Sequence, residues 1–139
     1  MKLRLQFNSI RLRLKRSEVE QFARTGRVEE KIISGSCAGE TFRYVLEATD
    51  AVSAPQGSVT ACGIVVQVPV CDSSRWASSD EIGIEGSQAV GDQARLRVVI
   101  EKDLGCLDGT EEQNFDTFPH TVGGTKHLVQ TEVEIAYER

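Results

Sequence analysis

A chain of 139 residues, 40% hydrophobic and 27% charged, fits one domain around one core, because two cores would each be too small to offset chain entropy. Ordinary composition with three prolines excludes a fibrous repeat or wholesale disorder, and no apolar run approaches the roughly 20 residues that cross a bilayer, so a single cytoplasmic domain over 1–139 without membrane contact is expected. The net charge of −5 conceals a division: residues 1–31 carry nine Lys and Arg against four acids, and the remainder seven against seventeen, a polarity that bears on partners.

From the N-terminus, Leu3, Leu5 and Phe7 alternate with Lys2, Arg4 and Gln6, and Ile10, Leu12 and Leu14 alternate with Arg11, Arg13 and Lys15. This period of two predicts a β-hairpin with its apolar face in the core and Lys2, Arg4, Arg11, Arg13 and Lys15 together on the other face. Ser17-Glu18-Val19-Glu20 reads as a capping box with Ser17 as N-cap. It opens a helix over 18–25 whose stripe is Val19, Phe22 and Ala23, ended by a left-handed Gly26.

Strands are then expected over 27–34, 40–49 and 59–68, the last stopped by Pro69, which has no amide hydrogen. A second helix is expected over residues 72–78, capped by Asp72 with Trp76 inward. Strands over 81–85 and 94–102 turn near Gly91-Asp92. Residues 103–121 read as an aperiodic loop, and a last strand is expected over 130–137. No internal repeat is legible. The predicted class is α+β, mainly antiparallel β, with a curved sheet or small barrel of six to eight strands.

Three constellations carry chemistry. The basic hairpin face offers Arg4, Arg11 and Arg13 to a phosphate or nucleic acid. Acids such as Glu132 and Glu134 across the sheet would neutralise it, and the hairpin lacks interleaved exposed aromatics on which bases stack, so nucleic acid is disfavoured. The acidic segment 101–120 suggests a divalent metal ion held by Cys106, Asp116 and His120. It has neither the ligand order of a calcium loop nor an HExxH pair, and acidic surface loops ordinarily meet water. Cys106 with His120 or His127 is the one candidate nucleophile pair, against which a lone thiol beside Leu107 reads as a small packed residue. Cys37, Cys62, Cys71 and Cys106 form no CxxC pair, so free thiols in a reducing compartment are expected. No catalytic motif is present. The expectation is a non-enzymatic binding or accessory module that contacts another protein, with metal binding and phosphate or nucleic-acid binding as alternatives.

The stretches NSIRLRLKRSEVEQFARTGRVEEK (8–31), SDEIGIEG (79–86), EKDLGCLDG from residue 101 and DTFPH ending at 120 resemble a family of short bacterial proteins of unknown function. Leu104 stands where that family usually has Phe, a conservative departure. The resemblance implies a bacterial origin and a small stand-alone domain, directs attention to EKDLGCL and FPH, and brings no activity, substrate or cofactor.

Overall fold

The computed structural model describes residues 1–105, 109–122 and 125–127, with 120–122 and 125–127 described by their backbone. Alternation builds the first hairpin as expected: β1 (Lys2–Gln6) pairs antiparallel with β2 (Ser9–Leu14) across a Phe7-Asn8 turn. Helix α1 (Arg16–Thr25) follows, then the hairpin β3 (Arg27–Ile33) and β4 (Thr41–Thr49), the hairpin β5 (Gln56–Thr60) and β6 (Gly63–Pro69), helix α2 (Val70–Ser78), and the hairpin β7 (Gly83–Val90) and β8 (Ala94–Lys102). Short strands β9 (His120–Val122) and β10 (Thr125–His127) pair with each other.

Several expectations shift in detail. Ile10, Leu12 and Leu14 are buried, but Leu5 is 57% and Phe7 91% exposed, because β1 is the outer strand of its sheet and Phe7 belongs to the turn. Helix α1 begins before Ser17: Lys15 is the N-cap, and its N–H donates to Glu18 Oε1 at 2.8 Å. Ser17 donates its N–H to Asp116 Oδ1 at 2.9 Å and its hydroxyl to Asp116 Oδ2, so a carboxylate distant in sequence serves the positive end of the helix. Gly26 does end the helix, at φ 76°, donating to Phe22 O at 2.8 Å. Ala23 is exposed. Helix α2 starts directly after Pro69, and Asp72 pairs with Arg75 at 2.9 Å instead of capping. The strand read over 59–68 is a hairpin turning at Ala61-Cys62.

Among the described residues, strands β1–β8 form two four-stranded mixed sheets and no closed barrel. The first has the order β1-β2-β8-β7 and the second β3-β4-β6-β5. Each unites two antiparallel hairpins through one parallel contact, β2 with β8 and β4 with β6, so the fold is less purely antiparallel than predicted. Parallel neighbours need a long connection, which the intervening hairpins and helices supply. The sheets share one core that includes Ile10, Leu12, Leu46, Val66, Val98 and Ile100. Along one margin the Gln88 side-chain amide takes the place of a strand partner, accepting from Gly57 N–H at 2.8 Å and donating to Gly57 O at 3.0 Å.

This topology is a duplication. β1-β2-α1-β3-β4 and β5-β6-α2-β7-β8 are the same ββαββ unit, and each unit gives one hairpin to each sheet. Constant spacing matches Ile10 with Ile64, Leu12 with Val66, Leu14 with Val68 and Leu46 with Ile100, all buried. Phe22 on α1 matches Trp76 on α2, and the two rings meet edge to face at 6.3 Å, a geometry that stabilises by about 0.5–1.5 kcal/mol beyond area burial. Trp76 Nε1 donates to Ile82 O at 2.9 Å, which satisfies its buried N–H.

Candidate anion-binding site

Every second side chain of a strand points away from the core, and on the first sheet many of these are charged. Pairing aligns Lys2 with Arg13 and Glu101, and Arg4 with Arg11, Val99 and Glu85, while Arg97 lies beside Ser9. Val99 is only 7% exposed on this outer face, which fits long arginine stems lying over it.

Most of these cations are paired. Arg11 Nη1 reaches Glu101 Oε1 at 2.6 Å, Arg13 Nη2 reaches Glu101 Oε2 at 3.3 Å, and Lys2 Nζ reaches Asp103 Oδ2 at 3.1 Å. Arg97 Nε lies 2.6 Å from Glu85 Oε2; its hydrogen bonds hold the Glu85 carboxyl below the ordinary range, and Glu85 raises the guanidinium in turn. The internal pairing expected from Glu132 and Glu134, which lie outside the described residues, is thus supplied by β7, β8 and Asp103. Lys15 stands beyond β2 as the helix cap and is not part of the strand face.

Arg4 differs, because it makes no ion pair among the described residues. With Gln6, Phe7, Ser9, Arg11 and Arg97 it lines a hollow of about 200 Å³. Asn8 Nδ2 donates to Arg95 O at 2.7 Å and Arg97 N–H to Asn8 O at 3.2 Å, which ties the rim of the hollow to β8. The sequence placed Phe7 in the core and found no exposed ring on the hairpin; the structure puts that ring on the rim.

The duplicated unit supplies an internal control. Arg43, Val45 and Glu47 are the counterparts of Arg97, Val99 and Glu101. Arg43 pairs with Glu29 at 3.0 Å as Arg97 does with Glu85, Glu47 pairs with Arg27 at 3.3 Å, and Val45 is 5% exposed. These shared features belong to the architecture. Lys2, Arg4, Arg11 and Arg13 have as counterparts Gln56, Ser58, Val65 and Gln67, so the cationic row exists on one sheet and is neutral on the other.

The EKD triplet has structural work in all three side chains. Glu101 and Asp103 hold the hairpin cations as described, and the buried Lys102 donates to Ser79 O at 2.7 Å, with its Nζ 5.6 Å from the Trp76 ring centre and 5.4 Å from that of Phe118. Of the metal set, Asp116 has both carboxylate oxygens on Ser17, Cys106 lies outside the described residues, and His120 is placed by its backbone in β9. Among the described residues no three His, Cys, Asp or Glu side chains cluster as ligands. Cys37, Cys62 and Cys71 are free and exposed. A larger hollow of about 360 Å³ between α1 and α2 has no ionisable side chain in its lining. No helix among the described residues is long and apolar enough to cross a membrane.

Residues 1–122 match the model of a family of unknown function. No curated protein and no solved structure matches the chain.

Proposed function

We propose, for a chain that belongs to the family of unknown function DUF7009 and takes no activity from it, a non-enzymatic binding module that holds a phosphate-bearing anion on the outer face of its first sheet. The observation that carries this reading is the break in internal symmetry: four outward cations stand where the second sheet has Gln56, Ser58, Val65 and Gln67. A guanidinium presents five N–H donors in a planar fork suited to phosphate oxygens. Glu85 and Glu101 engage part of Arg97 and Arg11, which orients those forks and leaves further donors for a ligand. Among the described residues the Arg4 side chain makes no ion pair, which leaves its donors for a ligand. A bacterial cytoplasm, where Cys37, Cys62 and Cys71 stay reduced, is the setting that goes with this reading.

Titration calorimetry with inorganic pyrophosphate tests it. Binding should weaken as salt rises from 50 to 200 mM, a range chosen on the counterion argument. Arg4→Ala should cost about tenfold or more, as expected for loss of a charge-assisted contact, and Arg75→Ala, at an ion pair on α2, should change nothing. Absence of pyrophosphate binding, or affinity indifferent to both salt and Arg4, would refute the assignment.

A further inference from the structure

Phe7 is hard to explain as a structural residue. It is 91% exposed, so it contributes little to the core, and it occupies the left-handed region at φ 50°, followed by Asn8 at φ 55°. Two positive φ values make a hairpin turn of the mirror-image type, which favours Asn or Gly and disfavours a bulky side chain. The strained ring therefore costs stability at a position where the backbone would prefer another residue, and such outliers concentrate at functional sites. The counterpart turn of the second sheet, Ala61-Cys62, has neither residue at positive φ, so the left-handed turn is not imposed by the shared architecture. The ring appears in the same hairpin as the cationic row, and it lines the same hollow as Arg4, Arg11 and Arg97.

Resting on the anion site above, we infer that the ligand is a nucleotide whose base stacks on Phe7 while its phosphates meet Arg4, Arg11 and Arg97. An exposed aromatic face beside guanidinium groups is the arrangement by which proteins hold a base and its phosphate together. The turn is tied to β8 through Asn8, so the ring is presented on a fixed support. A mononucleotide fits better than a strand of nucleic acid. The hollow is about 200 Å³, Glu85, Glu101 and Asp103 flank the cations on the same face, and a net charge of −5 opposes a long polyanion.

The test compares pyrophosphate, ADP and a single-stranded 12-nucleotide DNA by calorimetry on the wild type and on Phe7→Asn. ADP should bind the wild type roughly 5- to 100-fold more tightly than pyrophosphate, the range that base stacking on an aromatic side chain supplies. Phe7→Asn should bring ADP down to the pyrophosphate level, leave pyrophosphate unchanged, and keep or raise the melting temperature, since Asn suits the turn. A stable Phe7→Asn protein that retains the ADP preference, or a wild type that treats ADP and pyrophosphate alike, overturns the nucleotide inference and leaves the anion site standing. A wild type that binds neither pyrophosphate nor ADP refutes the anion site itself, and a Phe7→Asn protein that loses both overturns the assignment of Phe7 to the base alone. A 12-mer bound far more tightly than ADP would mark the ligand as a polymer and overturn the mononucleotide assignment.

Discussion

Replacing Glu101 by Gln removes the carboxylate that Arg11 and Arg13 share while preserving its shape and one carbonyl acceptor. Two opposing effects follow. The side chains of Arg11 and Arg13 are 33% and 40% exposed and that of Glu101 16%; solvent screens such pairs, so after that discount the stability loss is below about 1 kcal/mol, or about 4 °C in Tm. Ligand affinity should rise. One elementary charge removed about 7 Å from a phosphate dianion is worth about 1.2 kcal/mol in water, roughly sevenfold in Kd at low salt. A Debye length of about 8 Å at 0.15 M reduces this to about twofold. Calorimetric titration with pyrophosphate at both salt concentrations reads the gain. Glu47→Gln is the matched control: Glu47 is the counterpart of Glu101 but pairs with Arg27 on β3 of the second sheet, so its loss should leave affinity unchanged. Equal gains in the two variants, or no gain in Glu101→Gln, would refute the idea that the anion sits on this face.

Gly63 tests the sheet architecture, because an added Cβ would stand 1.9 Å from the carbonyl oxygen of Arg43, at φ 157°. Gly63→Ala should cost about 3 kcal/mol or more in urea unfolding, as backbone clash and conformational strain combine; a loss under about 1 kcal/mol would contradict the close approach of β4 and β6. Acid stability follows from Glu29, lowered first by Arg27 and then by Arg43, and from Glu85, lowered by Arg97. Their folded values lie below the unfolded value of about 4.3, so their contribution is present above that pH and is lost as pH falls through the folded values. The double variant Glu29→Gln, Glu85→Gln should therefore show a flatter decline of Tm below about pH 4.3, and an unchanged acid limb would refute these pairings.

Local pattern was legible wherever a strand has one buried face. Ile10, Leu12 and Leu14 follow strict alternation, and the stop at Gly26 follows from its need for positive φ. What was not legible depended on contacts distant in sequence. Asp116 serves a helix start nearly a hundred residues earlier, so the Ser17 box was a plausible local substitute. The apolar run through Cys62 hid a turn that exists because β6 must lie beside β4. The repeat escaped because its matched positions hold interchangeable apolar residues, Leu12 for Val66 and Phe22 for Trp76, which packing equates and letter matching does not. At the site, Arg4, Arg11 and the shared charged face could be read from periodicity. Arg97 was hidden in another strand, and Phe7 was mistaken for core because alternation carries no mark of where a hairpin turns.

The duplication also sorts the charges that the sequence presented as one group. Arg97 and Glu101 recur as Arg43 and Glu47, and their role in binding neighbouring strands is common to both sheets. Lys102 and Asp103 replace Ala48 and Thr49, and both side chains serve the segment that follows β8: Asp103 Oδ1 accepts from Gly105 N–H at 3.1 Å, and Lys102 lies against the Phe118 ring. Lys2 and Arg13 are then accounted for as partners of Asp103 and Glu101. Arg11 is accounted for in the same way, through the Glu101 carboxylate that it shares with Arg13. Arg4 is left with no ion pair among the described residues, beside a strained exposed ring and over a hollow into which two other guanidinium groups open. A residue that the fold does not require, at a place where the duplicate has serine, is the position at which substitution should separate binding from stability most cleanly.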